Sequence, residues 1–320
     1  MRLVCVLRYA LPWVLALLVA SPAASAPPKA QPPTSQDILK WINGYRGNPE
    51  PQQLAASVHA MSGLGLFKDL EASGVYIGFV AGVLASNPDK AEAMIAKMFP
   101  MPPEDQVAIV RAIAYSGLPE WKSLLGQFAE RMPARIVLIQ RHIADKAPTL
   151  KTMALDQSPA ALDTLWGFYF GSGRFEPIDR IIGVLAWAKD ANNVERLTLG
   201  SMAKWTLANN ALADKDLLDH LKIAVVRQPK EIVRELREVI EAAETFETSK
   251  IRREALASIE DLKRKGPDST RKFTWWGQAG QTALALGCVA ASALGHAEIG
   301  IPCVLGGAVS SAALKVFTPQ

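Results

Sequence analysis

From Ser35 to about Lys265, apolar residues recur every three or four positions in short segments. Each is closed by Pro, Gly or Asn-Pro after roughly twelve to eighteen residues, the rhythm of short antiparallel helices. Ser35 is read as the cap of a first helix through Ile38, Leu39, Ile42 and Tyr45, which Gly47-Asn48-Pro49 ends. Asn87-Pro88-Asp89 opens another, with Ala91, Met94, Ile95 and Met98 on one face. Pro102-Pro103-Glu104-Asp105 sets prolines and acids where missing N–H groups cost little and the helix dipole favours negative charge; Val107, Ile109, Val110 and Ile113 follow as the buried face. Gly117-Leu118-Pro119-Glu120 repeats the device before Trp121, Leu124, Leu125 and Phe128. No run alternates strictly with β-branched enrichment, so the pattern predicts an all-α chain with no sheet.

The clearest helical hairpin spans Leu162–Trp187. Leu165, Tyr169 and Phe170 lead into Gly171-Ser172-Gly173, and Phe175-Glu176-Pro177 opens a second helix through Ile178, Ile181, Ile182 and Leu185. Further on, residues 231–265 read as one amphipathic stretch, with Ile232, Leu236, Val239, Ile240 and Ala243 on one side. Unbroken, it would run about 50 Å. Arg234 with Glu238 and Arg237 with Glu241 stand at i, i+4 and are expected to pair on its solvated face. The stretch is read as a packing helix that closes the domain, the alternative being a helix that projects toward a partner.

The hairpin resembles one tetratricopeptide unit, because Leu165, Tyr169, Gly173 and Phe175 fall at that repeat's spacing. Trp166 and Ile178 depart from it, standing where the repeat takes small residues. Thirty-four residues on, Leu199-Gly200 matches again while Ala203 and Leu207 do not. Together with Ala203-Lys204-Trp205-Thr206-Leu207 and Asn209-Asn210, the hairpin is also similar to signal-peptide-bearing bacterial helical proteins with no assigned activity. These resemblances imply export and an array of antiparallel helical hairpins, α-solenoid-like or irregularly superhelical.

The ends of the chain differ from this body. Arg2 and Arg8, an apolar run Leu11–Ala20 and the small residues Ser21–Ala26 form the three regions of a secretory signal over residues 1–26. The apolar run is too short to cross a bilayer core of roughly 30 Å. Ala24-Ser25-Ala26 fits the cleavage pattern, although Pro27 opposes a cut there and makes cleavage after Ala23 the alternative. Residues 27–34 read as a proline-rich spacer. The whole chain carries a formal charge of +4, and loss of Arg2 and Arg8 would leave about +2. A body so near neutrality gives no argument for nucleic acid.

At the other end, residues 266–320 read as a linker and an apolar helical hairpin. Lys263, Arg264, Lys265, Arg271 and Lys272 precede Trp275 and Trp276, after which come stretches rich in Ala, Gly and Leu. That order suits a membrane interface, and these seven residues are the expected contacts for a membrane or a partner. The stretches carry Gln278, Gln281, Thr282 and Ser292, and export would leave the basic cluster outside, against the positive-inside bias. A packed or partner-docked hairpin is therefore preferred to peripheral contact or a span. Cys288 and Cys303 are the cysteines left after the signal, and an oxidising compartment predicts a disulfide between them.

No catalytic, cofactor or metal site is expected. His59, His142, His220 and His296 lack zinc-ligand spacing, and no H-E-x-x-H or C-x-x-C occurs. His142 and Asp145 read as a surface pair one turn apart. Gly63 and Gly65 lack a dinucleotide loop's third glycine, and Gly171-Ser172-Gly173 reads as a turn. Glu104/Asp105 and Glu260/Asp261 read as acids of helix starts or solvated faces, and Trp41, Trp121, Trp166, Trp187 and Trp205 as packing anchors. The reading that results is an exported, periplasmic or secreted helical scaffold that binds a protein partner and has no catalytic activity. An envelope protein touching an anionic membrane through residues 263–316, and a cell-wall enzyme with an unrecognised carboxylate pair, are the alternatives.

Overall fold

The computed structural model describes residues 33–190 and 192–251, together with Arg253, Glu254 and Ala257, in a compact unit that begins at Pro33. The described residues are all-helical, without strands. The first helix, α1 (Ser35–Gly44), is capped by Thr34 rather than by Ser35. The Thr34 hydroxyl accepts from the Asp37 N–H at 3.2 Å while Asp37 Oδ2 accepts from the Thr34 N–H at 2.8 Å. A carboxylate three residues beyond the cap is what selects Thr34, because it satisfies a second orphan N–H reciprocally.

Proline-opened turns then start two helices, the one at Pro88 as the punctuation predicts and the one at Pro51 unforeseen. A 3₁₀ turn at Pro51–Gln53 leads into α2 (Leu54–Gly63), and one at Pro88–Lys90 leads into α4 (Ala91–Lys97). Between them lies α3 (Gly74–Ser86), buried along its whole length up to Ala85. With no polar face to show solvent, α3 is the axis of the core. Helices α5 (Gln106–Tyr115), α6 (Trp121–Phe128) and α7 (Ile136–Ile143) follow. Ile109, Val110 and Ile113 are buried as expected, whereas Val107 is only half-buried and Ala108, Ala112 and Ala114 complete the inner surface.

The predicted hairpin contains α8 (Pro159–Ser172) and α9 (Glu176–Val184), which pack together. Gly173 ends α8 with φ +70°, a left-handed conformation that glycine adopts without a Cβ penalty. Then come α10 (Val194–Ala213), α11 (Lys215–Ala224) and α12 (Lys230–Glu244). The long amphipathic stretch does not run unbroken to Lys265. It stops at Glu244, and Phe246 turns the chain with φ +61°. Nor do the expected pairs form: Arg234 bonds Glu235 at 3.1 Å, Glu238 turns toward Lys189 and Lys204, and Arg237 makes no ion pair with Glu241.

The closest packing joins α3 to α8, helices far apart in the chain. A Cβ added to Gly74 would lie 2.4 Å from the Ala160 carbonyl oxygen, one on Gly78 2.0 Å from that of Thr164, and one on Gly82 2.4 Å from that of Phe168. Both helices advance by four residues in the same sense, so they run parallel. From the other side, a Cβ on Gly167 would meet the Val75 carbonyl oxygen at 2.1 Å. No real Cβ tolerates such distances, so the two backbones touch because these positions have no side chain. An array in which each hairpin contacts only its chain neighbours would not place α3 against α8.

Candidate functional site

The described surface is indented by a cleft of about 450 Å³ where the end of α1 meets the junction of α10 and α11. Asn43, Arg46, Phe170, Asn209, Asp214 and Lys215 are among the residues that line it. Each arrives there for a local reason. Arg46 follows the last turn of α1. Asp214 is both the C-cap of α10 and the N-cap of α11, and its Oδ1 accepts from the Leu217 N–H at 3.1 Å. A short acidic side chain suits this junction because it satisfies an orphan donor of the new helix and favours its positive end.

Arg46 closes one wall. Its guanidinium bonds Asp214 and, at 3.2 Å, Asp216, and lies 5.2 Å from the centre of the Tyr169 ring. The Tyr169 hydroxyl donates to Asp214 Oδ2 at 2.7 Å. Burial works against the charge on Arg46, but its neighbours, the Asp214 and Asp216 carboxylates among them, outweigh it and hold its pKa above the ordinary value. Burial and then the Asp214 hydrogen bond push the Tyr169 phenol far above its usual range, so it stays a neutral donor. The carboxylate oxygens of Asp214 are therefore engaged by protein donors.

The uncommitted chemistry of the cleft belongs to its amides and to the exposed Lys215 ammonium, which has no ion-pair partner among the described residues. Asn43 and Asn209 are half-buried and make no side-chain hydrogen bond among the described residues, whereas Asn210 Nδ2 donates to the Thr206 carbonyl at 2.9 Å. A primary amide offers both donor and acceptor, and two of them face the cleft without partners.

Other polar groups lie in the interior away from the cleft. Lys204 and Glu235, both buried, meet at 2.7 Å, with Glu238 on the same ammonium and Lys189 on Glu235 at 2.9 Å. Burial disfavours the Lys204 charge, yet Glu235 and Glu238 outweigh it and raise its pKa. Burial likewise works against the Glu235 carboxylate, which Lys204 and Lys189 nevertheless hold below its usual value. On α8, Asp163 is fully buried with Oδ1 unpartnered, and burial pushes its pKa up to about 8.

His142 is not the surface partner of Asp145. Its ring is buried, edge-on to Tyr115 and Trp121, with Nδ1 unpartnered, and Asp145 instead pairs with Lys122 at 2.7 Å. Burial first, then Arg111 and Arg141, lower the His142 pKa to about 4. Helical spacing had brought the two residues within reach, but the inward side of α7 took the imidazole. His59 contacts the Lys97 carbonyl at 3.0 Å, and His220 stacks on Phe175 and meets Asp179 at 2.7 Å. Asp105 is buried rather than solvated and accepts from Ser62, while Glu104 is exposed. Among the tryptophans, Trp166 and Trp205 are buried, and Trp41, Trp121 and Trp187 are packed against the core.

The expected contacts Lys263, Arg264, Lys265, Arg271, Lys272, Trp275 and Trp276, the cysteines Cys288 and Cys303, His296, Glu260/Asp261 and the signal at 1–26 lie outside the described residues. Among the described residues no helix is long and apolar enough to cross a membrane, and no group of three or more His, Cys, Asp or Glu is placed to hold a metal ion. The sequence reading missed Arg46, Asn43, Asp214 and Asp216 as neighbours. The signal available was Asp214-Lys215-Asp216 at a helix start, but nothing local points from there to Arg46. Comparison with known proteins gives no family model, no curated protein and no solved structure that matches the chain.

Proposed function

We propose that the chain is an exported, non-catalytic helical binding protein that receives an extended polypeptide segment in the cleft between α1 and the α10–α11 junction. The observation that carries this reading is the pair of unpartnered amides, Asn43 and Asn209, beside a wall in which Arg46 holds both Asp214 and Asp216. A peptide backbone presents alternating N–H and C=O groups, which side-chain amides match without demanding a charged ligand. The cleft's volume falls in the ordinary range for binding sites. Consecutive helices packed as α8 with α9 and α10 with α11 support an irregular array of hairpins as the frame. Arg46 favours binding over acid–base chemistry at the Asp214/Asp216 pair, since one guanidinium occupies both carboxylates.

A displayed library of short random peptides, panned against the full chain and against an Asn43→Ala/Asn209→Ala variant with unchanged thermal unfolding, tests this. Convergent peptides retained by the wild type and lost by the variant are expected. Equal enrichment on both, or none on either, would overturn the reading.

A further inference from the structure

The outer side of α7 combines features that the cleft lacks. Ile136, Val137 and Ile143 are exposed at 41%, 69% and 37% of their surface, although each is a large apolar residue. At 100° per residue they share the outward arc of the helix with Gln140 and Arg141, opposite the buried Ile139 and His142. The apolar side chains are bracketed by bases. Residues 131–151 contain Arg131, Arg135, Arg141, Lys146 and Lys151 against a single acid, Asp145, and Lys122 already neutralises Asp145. Arg141, Lys146 and Lys151 are exposed and have no acidic partner among the described residues.

Solvent alone gives no return for three exposed apolar residues on one helical arc. No α7 residue lines the described cleft, and a peptide helix or strand is gripped by concave surfaces or sheet edges, which disfavours either as occupant of a single outward helical arc. A lipid surface needs no groove. It accepts apolar side chains at the boundary between headgroups and acyl chains and attracts unpaired bases through its anionic headgroups.

We propose that the outward face of α7 is a docking surface for an anionic lipid bilayer, with Ile136, Val137 and Ile143 entering the interface and Arg141, Lys146 and Lys151 contacting headgroups. The α7 face is separate from the cleft, so a peptide and a membrane would be bound by different parts of the molecule. Arg135 has a different task, since its guanidinium donates to the Pro103 carbonyl at 2.9 and 2.8 Å and fixes the start of α7 against the body.

The test is sedimentation of the full chain with vesicles of phosphatidylcholine alone and of phosphatidylcholine mixed with phosphatidylglycerol. Binding is expected only to the mixed vesicles and is expected to weaken as salt is raised. Arg141→Gln and Lys146→Gln should each lower partitioning about five-fold, and Val137→Ser/Ile143→Ser should lower it by at least as much. These side chains are exposed, so matched thermal unfolding verifies that each variant is folded. A variant carrying Arg271→Gln, Lys272→Gln, Trp275→Ala and Trp276→Ala separates this face from the C-terminal basic cluster, because the α7 substitutions should still reduce its remaining binding. Vesicle binding that is absent in the wild type, or unaffected by folded α7 variants, would overturn the proposal. So would binding of soluble polyglutamate through these residues in place of vesicles.

Discussion

Two interior contacts hold this molecule by opposite means. Between α3 and α8 the backbones meet because Gly74, Gly78, Gly82 and Gly167 offer nothing to keep them apart. Between α10 and α12 the helices are joined through buried charge, with Lys204 shared by Glu235 and Glu238. The first contact depends chiefly on shape, while the second depends on desolvated charges that stay only while all partners are present. A core can thus contain a seam that fails if anything is added and another that fails if anything is removed.

The comparison is broken most severely by adding two methyl groups to the first seam. Gly78→Ala/Gly167→Ala places each new Cβ about 2 Å from a carbonyl oxygen, and the double variant should lose more than the roughly 5–15 kcal/mol that holds a typical domain together. Circular dichroism should show no cooperative transition. A cooperative transition near the wild-type temperature would mean that the helices separate cheaply.

The second seam should respond to removal. Lys204→Met leaves Glu235 buried with one cation fewer, and a loss of about 3–5 kcal/mol is expected in urea unfolding. Combining it with Glu235→Met should recover most of that loss, because the uncompensated charge then disappears. If the double variant is no better than the single, the charges are not the reason for the loss.

Asp163 sharpens the contrast, since it places a titratable group in the seam that otherwise ignores pH. Its pKa of about 8 in the folded chain stands above the ordinary value of 3.8, so the folded state keeps a proton that the unfolded state releases. Stability from this group therefore falls as pH rises between about 4 and 8, and the penalty is constant above that. His142, held near 4, acts in the opposite direction, because only the unfolded chain gains its proton between pH 6.5 and 4. Asp163→Asn should consequently gain about 2 kcal/mol at pH 8.5, allowing for an amide that remains unsatisfied, and gain nothing near pH 4. A stability difference that does not change with pH would show that Asp163 is not protonated in the fold.

The smallest effect serves as the control for glycine itself. Gly183 lies inside α9 with nothing within 4 Å of an added Cβ, so Gly183→Ala should stabilise by about 0.5–1 kcal/mol. Destabilisation there would mean that the packing argument for Gly78 explains too little.

Much of the helical order was legible before the structure. Pro88 opens a turn into a helix, Gly173 ends α8, and Ala91, Met94, Ile95 and Met98 are buried together, because these features depend on neighbours within one or two turns. The glycine spacing of the α3–α8 seam was also present in the chain, at Gly74, Gly78 and Gly82 and again at Gly167 and Gly171, but spacing alone does not name the partner helix. The amphipathic stretch after Glu231 was read as too long because its apolar period continues past Glu244, while the break depends on Phe246 adopting a left-handed backbone. The cleft was the least legible part, since Arg46 and Asp214 stand 168 residues apart.

The sequence by itself determined that the described part of this chain is helical, where several of its helices begin and which sides of those helices turn inward. Helical periodicity, proline geometry and capping are local, and a few consecutive residues suffice to state them. Only the tertiary structure decided that α3 lies parallel to α8, that Lys204 meets Glu235, that His142 faces inward and that Arg46 closes the wall of a cleft. Those choices depend on how closely two backbones can approach and on which buried charges find a partner. Both are properties of surfaces brought together from distant parts of the chain.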